Sequence, residues 1–509
     1  MTFGRIAAAL VVAAIILPLG AVAWRSGGLS GFGAAEWAAI EFTLRQALLS
    51  AILSVAFGIP LARALARRSF FGRSVLITLL GAPFILPVIV AILGLLAVFG
   101  QAGILGQILG VFGLEAPRIF GLHGVVLAHV FFNLPLAVRL ILQGWLAIPA
   151  ERFRLAASLE FDAKATARHL EWPMLKEVVP GIFVVIFLIC TTSFAVALTL
   201  GGGPRATTVE LAIYQAFRFD FDLGKAASLS LVQVALTVIG AFLAAKIAIP
   251  AAMGSGLDRP LQLWVQNKKS LLWLDRTIIA LGAAFLVLPL LAIVLRGAVA
   301  LNDLPPSVWT AAGRSLAVAT VSAALAVTLS LAIALAASQS KGGFYEVVVN
   351  LSIAASPIML GTGLYLLLLP VADPVQFALV VTGGVNALMS LPFTFRALLP
   401  EARALHRDYS RLCESLDLAG WAWLRLIALP RLRRPLGFSA GLAGALSMGD
   451  LGVIALFADP EFATLPLTVY RLMAAYRMDE AGSAALVLLA LTLSFFWLCD
   501  KGGRANVAL

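Results

Sequence analysis

The sequence predicts an all-α integral membrane protein of about twelve transmembrane helices, arranged as two parallel six-helix repeats. Three observations carry that prediction. The 509 residues are 61% hydrophobic and 12% charged, with a mean hydropathy of +0.99; soluble domains carry about 25% charged residues, so this chain could not cover a water-facing surface. The apolar residues gather into runs of the roughly 20 residues that cross a hydrocarbon core. Finally, a polar insert at Arg154 returns at Arg411, an offset of 411 − 154 = 257 residues.

In chain order the runs fall near 5–24, 43–66, 74–100, 120–143, 177–200 and 224–249, then near 274–296, 312–338, 345–370, 372–398, 434–457 and 481–499. The first contains Ala21-Val22-Ala23, similar to a signal cleavage site. Its apolar stretch exceeds the ~7–15 residues of a signal core, so it is read as a span. Lys and Arg in short loops set orientation. Arg5, Arg63, Arg67, Arg68, Arg73, both inserts, Arg259, Lys268, Lys269, Lys341, Lys501 and Arg504 all fall on one side, which places both termini in the cytoplasm. The repeats are then 1–250, with an insert at 151–176, and 273–509, with an insert at 400–433. A cytoplasmic linker, 251–272, joins them.

The two inserts read RLAASLEFDAKATARHLEWP (Arg154–Pro173) and RLCESLDLAGWAWLRLIALP (Arg411–Pro430). Upstream, NLPLAVR from Asn133 faces SLPFTFR from Ser390, again 257 apart (390 − 133). Downstream, Pro204, Thr208 and Tyr214 match Pro460, Thr464 and Tyr470 at 256 (460 − 204). Each insert follows an even number of spans, so the halves share one orientation and the repeat is parallel.

In the first insert Leu155, Ala156 and Leu159 form an apolar stripe beside Arg154, Ala157, Ser158 and Glu160. In the second, Leu412, Cys413 and Leu416 lie beside Arg411, Glu414, Ser415 and Asp417, with Gly420 supplying a turn. A helix of about two turns is not stable alone, so each must dock on a partner. The other reading has both helices lying on lipid headgroups; Glu160, Asp162, Glu414 and Asp417 weigh against contact with anionic lipid.

Other chemistry finds little support. The net charge of +11 is spread between apolar runs rather than gathered in a tract, which argues against nucleic acid. Three cysteines and four histidines have no metal-ligand spacing. No phosphate-cradling G-x-x-x-x-G-K-[ST] occurs, so any ATP site belongs to another chain. Asp450, an acid inside an apolar run, is a candidate for the translocation pathway. Its alternative reading is a structural acid at a helix break between Gly449 and Gly452. Asn133 and Ser390, each before Leu-Pro, are kink residues first and pathway candidates second.

The insert pattern R-L-x-x-S-L-[ED]-x(9)-[LI]-x-x-P resembles the EAA loop of ABC importer permeases, E-A-A-x-x-x-G-x(9)-I-x-L-P, in both copies, closing at Pro173 and Pro430. Arg154 and Arg411 stand where that pattern has Glu, and Glu160 and Asp417 where it has Gly. The resemblance covers the whole chain as a fused pair of permease units. It implies a multi-pass protein of the bacterial inner membrane, working with two copies of an ATP-binding cassette subunit that carry ATP and Mg, and with a periplasmic substrate-binding protein. This chain would hold no cofactor. The outward loops, with Tyr214, Arg218, Asp220, Asp222, Tyr470, Arg477 and Asp479, would be the binding-protein platform. Within the family, the run LGGGPRATTVELAIYQ from Leu200 looks most like fused permeases of thiamine importers. A ferric-iron importer is the alternative cargo, and an ion-coupled secondary transporter relaying through Asp450 is the alternative class.

Overall fold

The computed structural model describes residues 2–26, 32–81, 85–245, 269–340, 342–457 and 460–504. Lys341 and the expected linker up to position 268 lie outside them. In the first half, α1 (Thr2–Arg25), α2 (Ala34–Arg67), α3 (Val88–Phe99) and α4 (Leu122–Ala147) precede a short α5 (Ala150–Ser158). Next come α6 (Trp172–Thr191), α7 (Phe194–Leu200), α8 (Val209–Arg218) and α9 (Leu223–Ala245). The second half runs α10 (Lys269–Gly297), α11 (Pro306–Ser338), α12 (Phe344–Ala354), α13 (Pro357–Leu368) and α14 (Ala378–Ser415). It ends with α15 (Leu429–Met448), α16 (Gly452–Phe457), α17 (Leu465–Ala474) and α18 (Met478–Arg504).

Among the described residues, eleven helices are long and apolar enough to cross a membrane, and twelve if the bent pair α12 and α13 is one span. That pair turns by 90°. The cause is local: the residue before a proline is pushed out of the helical region, and Ser356, at ψ 141° before Pro357, caps α13 by accepting from Met359 N at 3.4 Å. Three expected spans are likewise interrupted. A separate helix at Arg73–Leu79 precedes α3, so the run at 74–100 is not one helix. The runs at 177–200 and 434–457 break at Thr192-Ser193 and at Gly449–Leu451.

Large apolar side chains such as Leu10, Leu17, Leu48, Phe57, Leu281 and Val321 are exposed on the outside of the bundle. Lipid tails are the solvent that such a surface matches. Inside, small and polar residues let the helices approach. Thr43, Gln46, Ser50 and Ser54 form a buried stripe on α2, and Gln46 Nε2 donates to Cys190 O at 2.7 Å. On α11, Ser330 Oγ lies 2.5 Å from Thr394 Oγ1. The helices between the last two spans dock alike in the two halves: Val209 N donates to Thr43 Oγ1 at 2.9 Å, and Leu465 N to Ser315 Oγ at 2.8 Å.

Each half lends its first helix to the other. α1 packs on α11 and α13, and α10 packs on α2 and α3. In each exchange a glycine lets a proline carbonyl come close. A Cβ added at Gly363 would stand 2.5 Å from Pro18 O, and one at Gly94 would stand 2.6 Å from Pro289 O.

Candidate functional site

Both inserts lie at one end of the bundle and end in the same cap, but only the first is the short separate helix expected from the sequence. α5 has nine residues, whereas Arg411–Ser415 are the last turns of the 38-residue α14, so the second copy is held by its own span. α5 ends at Ser158, where Leu159 N donates to Leu155 O at 3.0 Å, Glu160 N to Ala157 O at 3.1 Å and Phe161 N to Ala156 O at 2.9 Å. The end of α14 repeats this, with Leu416 N to Leu412 O at 3.1 Å, Asp417 N to Glu414 O at 3.4 Å and Leu418 N to Cys413 O at 2.9 Å. The last two bonds of each set form a Schellman cap, which needs a left-handed residue at its bend. That residue is Glu160 in one copy (φ 55°) and Asp417 in the other (φ 51°), the positions where the EAA pattern has glycine. Gly420 is also left-handed, at φ 58°. Each insert then makes one short helical turn and one π-helical turn, Ala167–Glu171 or Leu424–Ala428, before the next span.

The caps aim matched side chains outward. Leu155 and Leu159 are 60% and 59% exposed, and Leu412 and Leu416 are 47% and 59% exposed, while Ala156 and Cys413 are buried. Arg154, Arg411 and Glu414 surround them on the surface. Ser158 and Ser415 bond back to the carbonyls of Leu155 and Leu412, both at 2.8 Å. Pro173 and Pro430 each stand two residues past the π-turn, inside a helix that runs on without a break into the following span.

The anchors of the two inserts differ. Glu171, at the end of the first π-turn, is buried between Arg63 (2.8 Å) and Arg67 (2.5 Å) of α2. The equivalent residue of the second insert, Ala428, is buried against Leu405 and Leu432, with Leu331 and Leu335 of α11 around it. Counted from the matched hydroxyls of Thr43 and Ser315, Arg63 and Leu335 hold the same place (63 − 43 = 335 − 315 = 20). One residue beyond the α2 arginines, Arg68 Nε meets buried Asp275 Oδ2 of α10 at 2.7 Å, tying this end to the other half.

The other candidates lie elsewhere. Asn133 is buried in α4, where its Nδ2 donates to His129 O (2.8 Å) and Cys190 Sγ (3.3 Å). Buried Ser390 donates to Asn386 O at 2.8 Å. Asp450 Oδ1 accepts from Gly452 N at 3.1 Å and so caps α16, while Oδ2 has no hydrogen-bond partner. At the end of the bundle opposite the inserts, Asp220, Asp222, Arg477 and Asp479 are exposed and Arg218 is half-buried. Tyr214 is buried against Phe194 and Phe219, so its ring is not offered to a docking partner. It lies near enough to half-buried Tyr470 for each half's tyrosine to flank the seam between halves, and burial raises both phenols above their ordinary range. Sequence reading passed over Glu210, at the start of α8. It is 1% exposed, neither carboxylate oxygen has a hydrogen-bond partner, and burial pushes its carboxyl up to about 8. A signal was present: Glu210 is the one acid in the run Thr207–Gln215.

Two helical halves in one membrane bundle, each presenting the same exposed leucine pair and cap, define a polytopic permease built on an internal repeat. No protein-family model matches the chain. It is 37% identical to the thiamine transport system permease protein ThiP of Brucella abortus, over 96% of this chain and 92% of that protein. It is 38% identical to the protein of that name from Escherichia coli K12, over 92% and 90%, and 35% identical to that from Haemophilus influenzae, over 89% and 86%. The chain therefore belongs to this family of ABC transporter permeases.

Proposed function

We propose that the chain is the membrane-spanning subunit of an ATP-driven importer of thiamine or its phosphates. The observation that carries the mechanism is the pair of inserts that each show two exposed leucines one helical turn apart at a Schellman cap. An exposed apolar pair at a helix end, standing clear of the bundle, calls for a groove to fill. Two equal copies call for two equal partners, one cassette subunit per insert. These subunits carry ATP and Mg, and this chain holds neither. The end with the inserts is cytoplasmic, as are both termini, and the protein sits in the bacterial inner membrane. A two-lobed binding protein delivers substrate at the opposite end, onto the loops carrying Asp220, Asp222, Arg477 and Asp479.

The transport cycle is alternating access. Closure of the cassettes on ATP draws the two inserts together, and each insert moves its own half through the spans it joins. Cargo follows from likeness along nearly the full length to permeases named for thiamine.

The test is purification from the native host in mild detergent, followed by identification of what co-elutes and by uptake assays. A co-eluting ATPase at two copies per permease, with uptake that stops on ATP depletion, is the expected result. No ATPase, together with uptake that survives depletion, would overturn the mechanism. A deletion strain that still grows normally on trace thiamine would overturn the cargo.

A further inference from the structure

Glu210 is the buried acid that neither the fold nor the inserts use. It opens α8 of the first half, which packs on α13 of the second. Ser356, the cap of α13, stands beside it but not in hydrogen-bond geometry with either oxygen. Farther along the same two helices, Phe217 and Tyr365 meet edge to face at 4.6 Å, and Tyr365 meets Phe457 at 5.7 Å. These three rings and Arg218 line a cavity of about 150 Å³ at the seam. On α8, Tyr214 is one turn beyond Glu210, and Phe217 almost another. The seam thus runs from a sealed carboxylate, past Tyr214, to an aromatic cluster built by both halves. Its counterpart differs: at the position of Glu210 (466 − 210 = 256), the second half has Pro466. The acid is present once per molecule.

An unpaired buried carboxylate is costly unless a state exists in which it is paired. We propose that Glu210 is the permease's own recognition group for a cationic heteroaromatic solute, pairing with it when the halves part, while the rings of Phe217, Tyr365 and Phe457 stack against it on the way in. Aromatic faces attract cations, and a carboxylate supplies the charge that a neutral look-alike cannot answer. Burial keeps the carboxyl toward its neutral form while sealed. When the halves part and water reaches it, its proton leaves to solvent and the carboxylate pairs with the cation.

This inference rests on the proposed cargo, and its test separates the two. The complex of permease, cassettes and binding protein is reconstituted in vesicles. Uptake is measured for thiamine and for an isosteric analogue with an uncharged ring in place of the thiazolium. In E210Q, the preference for thiamine over the analogue should fall about ten-fold relative to the parent, with ATP hydrolysis stimulated by loaded binding protein retained. E210D, which keeps the charge, should keep the preference, and Tyr365→Leu should lower thiamine uptake from the other half. An unchanged preference in E210Q overturns the assignment and leaves the importer reading intact. If E210Q does not assemble, loss of the preference in E210D overturns it. No thiamine uptake by the parent complex would instead defeat the cargo reading.

Discussion

The two inserts share a cap and a π-turn and differ in what holds them. Both carry the same cap, a left-handed residue at the same place (Glu160 or Asp417) and the same π-turn, 257 residues apart. The first is fastened by a carboxylate between two arginines, and the second by an alanine among leucines. Equivalent geometry therefore does not require equivalent chemistry; it requires that each anchor be complete in itself. A buried ion pair gains little net stability over a well-packed apolar contact, yet losing one partner is severe because a charge is left behind. An apolar contact fails more gently, by the volume removed.

That contrast can be broken in order of size. Glu171→Ala strands Arg67, whose side chain is 8% exposed, and should cost about 3–5 kcal/mol, read as a lower melting point in detergent and loss of uptake. Leu432→Ala, which opens a hole under the second insert, should cost about 2–4 kcal/mol in the same measurement. If the two costs come out in reverse order, the ionic anchor is not what fastens the first insert. Glycine at the left-handed positions should stabilise: Glu160→Gly raises stability by about 1 kcal/mol, and Asp417→Gly by less, since Asp tolerates that conformation better. Smallest for stability is Leu155→Ser combined with Leu412→Ser, within about 0.5 kcal/mol because both side chains are exposed. The same variant should nevertheless lose co-purifying ATPase; normal association would show that the leucines do not dock.

Much of this was legible in the sequence. Hydropathy marked the spans, and the paired inserts stood out because charge is rare in this chain. Aligning Glu160 and Asp417 with a glycine pointed to the backbone conformation both adopt. What stayed hidden depends on distant partners. Glu171 is an ordinary acid until α2, 104 residues earlier in the chain, brings Arg67 to it. Glu210 reads as a loop residue until Ser356 and α13 close over it. The break between α12 and α13 was signalled only by Ser356-Pro357, within a run apolar enough to pass as one helix.

The exchange of first helices has a consequence for how the protein is made. α1 emerges well before the second half, yet two of its packing surfaces, on α11 and α13, lie some 300 residues downstream. At bacterial elongation rates of roughly 5–20 residues per second, the newborn helix waits on the order of 15–60 s in the membrane before its seat exists. During that interval the groove that fits Pro18 has not been synthesised, and neither has Gly363 within it. Assembly is thereby scheduled by the ribosome. A second half expressed apart would carry that groove empty, and a supplied α1 segment is the piece that should fill it.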